Sequence, residues 1–268
     1  MDVKNSENNR KRLYHEFISD RIVHRADILK FYEGNIAQAN LNIQRLLKSG
    51  KAIWIKTGVY YFKKADEFHI EGPSVNPWIV AGKVHKDSVV TYHSALKLFG
   101  AAYSESRIYQ IGVPFSVKSS PKPFEFQNIE YRVYRVDTSF GIDHTVVEDL
   151  KISHFSKERI ILEGLMYPAL FWGMSEFLQS IEGISWINPD KLLEMLPNYP
   201  LKTISMRLGW LLGRFQKKWY ISEQVLGNLE KMRPISKVFL VAGQRSGNRL
   251  FPRWNLMVPE TLLHLEEA

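Results

Sequence analysis

Three polar side chains follow one another along a predicted helix at a spacing that suits the reading of DNA bases. Gln38, Asn42 and Arg45 lie at positions i, i+4 and i+7, so a helix would present them in one row. Glutamine and asparagine can form two hydrogen bonds to adenine in the major groove, and arginine can do the same to guanine. The row predicts recognition of a base sequence, although any solvated helix face can carry such residues.

The positive charge of the chain is concentrated in the same region. Residues 1–64 contain 13 lysines and arginines against 6 aspartates and glutamates, a net charge of +7. The remaining 204 of the 268 residues contain 23 basic and 22 acidic groups, a net charge of +1. A basic surplus confined to one end of a chain predicts a polyanionic partner at that end.

The elements that would position this row predict a helix-turn-helix. Helices are expected from Asn9 to Asp20, from Arg25 to Phe31 and from Asn35 to Ser49, with Gly34 in the turn before the third helix. Gly50 is placed to end that helix with a left-handed residue. The third helix is expected to bury five apolar side chains: Ile36, Ala39, Ile43, Leu46 and Leu47.

A predicted hairpin follows the third helix and gives the module its wing. Its strands are expected at Ala52–Ile55 and Val59–Phe62, joined by a turn in which Gly58 supplies a positive φ. In a winged helix-turn-helix the third helix enters the major groove and the hairpin approaches the phosphates. Eight residues are thus predicted to contact DNA, the alternative being a winged helix used for protein contacts. Gln38, Asn42 and Arg45 would read bases, and Arg25, Lys48, Lys51, Lys56 and Thr57 would hold the backbone.

An acidic segment with glycine and proline, Ala65–Pro77, predicts a linker. We therefore expect a winged helix-turn-helix domain at residues 1–72 and a larger domain at residues 73–268. The larger domain is expected to be α+β with a helical C-terminal part, because its helices and strands do not alternate regularly. Expected helices are Trp78–Val84, Tyr92–Phe99, Ser156–Tyr167, Phe171–Ile181, Pro189–Leu196, Leu201–Phe215 and Ser222–Met232; expected strands are Arg107–Val113, Phe124–Phe126, Ile129–Val136, Thr145–Val147 and Ser236–Ala242.

Residues that could support catalysis are few and badly spaced. The chain has no cysteine, which excludes disulfides, thiolate zinc sites and a cysteine nucleophile. His85, His93, His144 and His154 lack metal-binding spacing, so structural roles are expected for them. Glu148-Asp149 is interpreted as a solvated turn rather than a metal-binding pair. The sequence predicts no enzyme, no catalytic residue, no metal and no cofactor.

Other conspicuous groups favour structural roles. Phe171-Trp172, Trp210 and Trp219-Tyr220 are expected to pack together. Residues 243–249 predict a mobile loop, with an anion site as the alternative, because they lack the lysine-hydroxyl pair of a phosphate-binding loop. Five basic residues are interpreted as a solvated face, with RNA or an acidic partner as the alternative: Lys217, Lys218, Arg245, Arg249 and Arg253. The polar start of the chain and the lack of a long apolar run predict a cytoplasmic protein without membrane contact.

Three stretches along the chain resemble one known family in their order. They are Lys56–Tyr61, Val89–Gly100 with its Ser-Ala-Leu sequence, and Ser156–Glu163. In this order they are similar to the AbiEi-type antitoxins, bacterial regulators of a two-gene toxin–antitoxin unit. The third stretch departs from the family pattern, with Ile160 in place of threonine and Glu163 near the usual aspartate.

The resemblance implies two functions. The winged helix would repress the promoter of its own operon by binding inverted repeats in double-stranded DNA. The C-terminal domain would counteract a nucleotidyltransferase-like toxin encoded beside it, without a stable complex being required. Two alternatives stay open: a repressor whose C-terminal domain senses a small molecule, and a DNA-targeted nuclease that uses Glu148 and Asp149. A nucleotidyltransferase gene immediately downstream would favour the antitoxin.

Overall fold

The computed structural model describes residues 12–118 and 122–263, whose helices and strands form a mixed α+β fold. Residues 12–72 are called the N-terminal unit and residues 73–263 the C-terminal unit. The elements of the N-terminal unit are helical residues 12–17 (α1), β1 (Ile22–His24), α2 (Arg25–Phe31), α3 (Ile36–Lys48), β2 (Ala52–Lys56) and β3 (Val59–Phe62). Residues 9–11 of the predicted first helix lie outside the described residues.

Local signals in the sequence explain how α3 begins and ends. The Asn35 side chain accepts a hydrogen bond from the Gln38 backbone N–H at 3.0 Å, so Asn35 caps the helix instead of lying inside it. Gly50 follows the helix with a φ of 66°, a conformation in which glycine carries no steric penalty. The predicted α2 matches the structure, and α3 is one residue shorter at each end.

The three strands of the N-terminal unit form an antiparallel sheet in the order β1-β3-β2. The predicted hairpin is present, with β2 extended by one residue to Lys56 and Gly58 at a φ of 75°. Strand β1 was not predicted. A segment of three residues is too short to show an alternating pattern. These residues form a strand only because they pair with Val59–Tyr61 of β3.

The C-terminal unit is built on a six-stranded sheet in the order β6-β7-β5-β4-β9-β8. Pairs β5–β7 and β4–β9 are parallel, and the other neighbours are antiparallel. A smaller sheet near the end has the order β10-β12-β11. The strands are β4 (Val89–Val90), β5 (Ile108–Pro114), β6 (Phe124–Phe126), β7 (Ile129–Val136), β8 (Ile142–Val147), β9 (Leu150–Phe155), β10 (Val238–Phe239), β11 (Asn248–Phe251) and β12 (Leu256–Pro259).

The helices of the C-terminal unit lie close to their predicted positions, and the strands less so. Strand β8 is longer than predicted and pairs with the unpredicted β9, while the expected strand Ser236–Ala242 shrinks to β10 beside the unpredicted β11 and β12. The helices are α4 (Pro77–Lys83), α5 (Tyr92–Leu98), α6 (Lys157–Met166), α7 (Met174–Ile181), α8 (Pro189–Met195), α9 (Leu201–Arg214) and α10 (Glu223–Glu230).

A buried arginine of α6 ties that helix to the large sheet. Arg159 is 1% exposed, and its guanidinium donates to the carbonyls of Asp137 and Phe140 at 2.6 and 2.7 Å. It also donates to Glu163 at 3.2 Å and lies 3.8 Å from the ring centroid of Phe155. Because a buried charge without partners costs several kcal/mol, this set of contacts fixes how α6 enters the core.

The β1-β3-β2 sheet of the N-terminal unit is apolar on both of its faces. Val23, Tyr60 and Phe62 pack with the helices of the N-terminal unit. Ile22, Ile55, Val59 and Tyr61, which point the other way, belong to the core of the C-terminal unit. All four side chains of β3 are therefore buried, which accounts for the uninterrupted apolar run in its sequence. The predicted boundary near residue 72 stays a prediction, but apolar contacts join the two sides of it.

Replacement of Ile55 by alanine should destabilise both units together. The side chain is 1% exposed between the sheet and the C-terminal core, so its loss should lower the free energy of unfolding by about 2–5 kcal/mol. Urea unfolding followed by fluorescence and by circular dichroism should shift by the same amount. Trp54→Ala, at a neighbouring exposed position, is the control and should change stability far less. Two separate transitions, with only one of them shifted, would contradict a shared core.

Candidate nucleic-acid interface

Helix α3 presents one continuous row of exposed side chains to solvent. Its buried residues are Ala39, Asn42, Ile43 and Leu46. The exposed positions opposite them follow the spacing i, i+4, i+7 and i+11, which places them on one line along a helix. We call this set the outer row: Ala37, Leu41, Gln44 and Lys48.

The predicted base-reading residues do not lie on the outer row. Asn42 is only 2% exposed, and its side-chain amide donates to the Gln38 carbonyl at 2.9 Å. The prediction that Asn42 faces solvent is therefore wrong, because this asparagine closes a hydrogen bond inside its own helix. Gln38 and Arg45 are half-buried beside it, and Arg45 takes part in an interaction within the protein.

The error in the predicted face has a clear physical origin. The sequence projection counted Ile36 as a core residue, whereas Ile36 is 59% exposed at the start of the helix. In the structure Asn42 belongs to the buried arc and Ile36 and Leu47 do not, which turns the solvent face by about 40° around the helix axis. The exposed Asn40 and Gln44 were missed for this reason. The regular spacing of Ala39, Ile43 and Leu46 was the signal that would have located them.

The start of α2 connects the outer face of α3 to the hairpin. The Arg25 guanidinium donates to the side-chain carbonyl of Asn40 at 3.0 Å, and the Arg25 backbone N–H donates to the Gly58 carbonyl at 2.8 Å. Thr57, at the tip of the hairpin, is exposed. Arg25 and Thr57, two of the predicted backbone contacts, thus lie on the same side of the unit as Asn40.

The remaining predicted backbone contacts are divided between solvent and the protein. Lys48 is exposed on the outer row. Lys51 is half-buried, with its ammonium 5.0 Å from the ring centroid of Phe68. Lys56 is turned away from solvent toward the C-terminal unit, where its ammonium lies 4.7 Å from the ring centroid of Phe124 in β6. Because burial lowers the pKa of Lys56, its charge already carries a desolvation cost in the folded protein. The structure therefore does not present Lys56 as an open contact for a phosphate.

Several polar contacts cross from the N-terminal unit to the turn between α4 and β4. The His24 ring donates through Nε2 to the Lys83 carbonyl at 3.0 Å, and the Lys86 ammonium lies 2.6 Å from an Asp27 carboxylate oxygen. Burial, together with the charges of Lys56 and His24, lowers the pKa of His85 to about 4. Burial also lowers the pKa of His24. Both histidines are therefore neutral at neutral pH.

The groups that suggested other chemistry occupy structural positions. Glu148 and Asp149 form the two-residue turn between β8 and β9, with φ values of 46° and 68°, as the turn interpretation predicted. His93 is fully buried and bonds the Glu176 carboxylate at 3.3 Å. Among the described residues, no group of three or more histidines, aspartates and glutamates is arranged to hold a metal ion.

The conspicuous aromatic and basic residues of the C-terminal unit are only partly as expected. Phe171, Trp210 and Trp219 are buried in the core, but Tyr220 is 87% exposed. Arg253 is engaged by the carboxylates of Glu223 and Glu230 at 2.9 and 3.1 Å, which reduces its contribution to any basic face.

In the part of the chain that the structure describes, no helix combines the length and apolarity required to cross a bilayer.

Comparison with known proteins gives a likeness of fold. No family model matches the chain, and no curated protein matches its sequence. The structure is similar to the crystal structure of the RV2827C protein from Mycobacterium tuberculosis, with a TM-score of 0.61 and 13% sequence identity. The match covers 96% of this chain and 93% of that chain, so the similarity of fold extends over both units.

Acidification should destabilise the protein through the histidines at the junction between the units. Folded His85 stays neutral until about pH 4, whereas a histidine in the unfolded chain binds a proton near pH 6.5. The free energy of unfolding should therefore fall as the pH falls from 6.5 toward 4, by about 1.4 kcal/mol for each unit of difference in pKa. Urea titrations at several pH values would measure this decline.

His85→Gln should flatten the pH profile, because the variant lacks the group that protonates on unfolding. His69→Gln, at an exposed histidine of the same chain, is the matched control and should keep the wild-type slope. Equal slopes for the His85 variant and the wild type would contradict the assignment.

Proposed function

We propose that the protein is a sequence-specific regulator that binds double-stranded DNA through an N-terminal winged helix-turn-helix. The observation that carries the proposal is the outer row of α3. It is exposed along the whole helix, while the opposite side of the same helix is packed into the core of the unit. A helix held in this way can enter the major groove without unfolding any part of its support.

The side chains of the outer row suit base recognition. Gln44 can form two hydrogen bonds to adenine, Leu41 can contact a thymine methyl group, and Lys48 can reach a phosphate. Arg25 and Thr57 flank the row at the start of α2 and at the tip of the hairpin, where backbone contacts are needed. The net charge of +7 in residues 1–64 supports the same partner. Since one such unit buries a modest interface, we propose that two copies bind inverted repeats.

We further propose that the protein is an antitoxin of the AbiEi type, which represses its own operon and opposes a nucleotidyltransferase-like toxin. The three stretches that resemble that family support the proposal by their positions. Lys56–Tyr61 covers the tip of the hairpin and most of β3, and Val89–Gly100 covers β4, α5 and the left-handed Gly100. Ser156–Glu163 begins α6 and contains the buried Arg159. Each stretch thus includes the start of at least one helix or strand.

Gln44→Ala should change which DNA sequence is preferred, whereas Lys48→Ala should weaken binding to every sequence. We expect Gln44→Ala to cost about 1–3 kcal/mol on the operon's upstream region and little on a scrambled duplex of the same length. Lys48→Ala should lower the salt slope by about one if its ammonium contacts a phosphate. Fluorescence anisotropy at several salt concentrations measures both effects.

Gln224→Ala, at an exposed position of α10, is the control for the glutamine replacement and should leave binding unchanged. Wild-type protein that fails to bind the upstream duplex, even at low salt, would refute the DNA-binding proposal. If neither α3 variant affects binding, the DNA interface does not lie on the outer row.

Co-expression with a nucleotidyltransferase encoded beside the gene should restore growth that the enzyme alone arrests. The Lys48→Ala variant should protect as well as the wild type, because repression and protection are assigned to different units. Plating efficiency with each gene alone and with both together gives the measurement, and empty vector is the control. Absence of such a neighbouring gene, or growth arrest that persists on co-expression, would refute the antitoxin proposal and leave DNA binding to be judged separately.

A further inference from the structure

A surface cavity of the C-terminal unit is lined by three lysines beside the N-terminal unit. Its volume is about 290 Å³, and its lysines come from the end of α4, the following turn and strand β9: Lys83, Lys86 and Lys151. Asp87 is the acidic residue of the lining, and the hydroxyl-bearing residues are Ser88, Thr138 and Ser153. Such a lining suits a small, strongly hydrated anion rather than an apolar ligand.

The cavity is joined to the predicted DNA-reading surface through α2. Lys86 pairs with Asp27 of α2 at 2.6 Å, and the Lys83 carbonyl accepts the hydrogen bond from His24, the residue before α2. Arg25, two residues before Asp27, bonds Asn40 on the outer side of α3. An unbroken series of contacts therefore leads from α3, over the first turn of α2, to the cavity.

The contact between Lys86 and Asp27 is exposed and can exchange partners. The two side chains are 60% and 30% exposed, so the ion pair adds little to stability. Lys151 is exposed on β9. A phosphate in the cavity could therefore attract both ammonium groups without disrupting the fold.

We propose that this cavity binds a phosphate of the DNA backbone, so that the C-terminal unit extends the DNA contact made by α3. The inference rests on the proposed function and deepens it. Duplex DNA places one negative charge about every 1.7 Å along its axis, so a duplex lying against α3 presents further phosphates toward α2 and its neighbours. The β1-β3-β2 sheet, which packs against both units, holds the cavity at a constant position relative to α3. A free phosphorylated molecule would share the chemistry of this ligand, and the experiment separates the two sources.

The full-length protein should be titrated against a labelled duplex from its upstream region at several salt concentrations. Lys151→Ala should weaken binding roughly three- to tenfold, alike for specific and scrambled duplexes, and lower the salt slope by about one. Lys217→Ala, at an exposed lysine near the end of α9, is the matched control and should leave both quantities unchanged. Equal behaviour of the two variants would overturn the inference while leaving the wild-type binding, and with it the proposed function, intact.

Asp27→Asn distinguishes a phosphate contact from a simple tether between the units. If Lys86 contacts DNA, the variant should bind more tightly than the wild type, because it releases the lysine and removes a negative charge. If Lys86 only holds the units together, Asp27→Asn and Lys86→Ala should weaken binding equally, which would overturn the inference.

Calorimetric titration with inorganic phosphate tests the other source, a free phosphorylated molecule. Phosphate binding that Lys151→Ala abolishes, with unchanged DNA affinity, would assign the cavity to a free anion instead. No DNA binding by the wild type would refute the proposed function itself.

Discussion

The arrangement of the molecule depends on a three-stranded sheet that must be covered on both faces. In β3, Tyr60 and Phe62 pack toward the helices of the N-terminal unit, while Val59 and Tyr61 pack into the C-terminal core. Burial of each such side chain stabilises the folded state by about 1.5–3 kcal/mol, so neither face can be exposed without a large loss. The same sheet therefore supports α3 and sets the orientation of α3 relative to the C-terminal unit.

This constraint changes what the hairpin can do. A wing that projects into solvent can place its cations on phosphates, but here β2 lies against β6 and the Lys56 ammonium lies over the ring of Phe124. The contact also protects β6, a three-residue strand at the edge of the large sheet. The hairpin therefore offers little open basic surface. The basic side chains beside the outer face of α3 are instead Arg25, at the start of α2, and Lys48, on the outer row.

The sequence predicted those elements whose signals are local. Helix α2 and the hairpin strands were found to within one residue, since the helical spacing of apolar residues, the runs of β-branched and aromatic residues and the turn glycine Gly58 are local signals. Strands β1, β9 and β12 were not predicted, because their identity depends on partners distant in the chain. The prediction of which face of α3 is exposed to solvent failed for a related reason. Asn42 looks polar in the sequence, but tertiary packing buries it and its amide finds a partner one turn earlier.

Charge counts located a region but could not identify the cations that reach a ligand. Lys63 contributes to the basic surplus of residues 1–64, yet it is 4% exposed and donates to the Ile70 carbonyl at 2.8 Å. The C-terminal part is nearly neutral in composition, with 23 basic against 22 acidic groups, yet it brings Lys83, Lys86 and Lys151 to one cavity. Electrostatic attraction acts over roughly a Debye length of 8–10 Å, so the local grouping of charges decides where an anion binds, whatever the total. Because that grouping arises when α4 and β9 meet in the fold, composition alone cannot contain it.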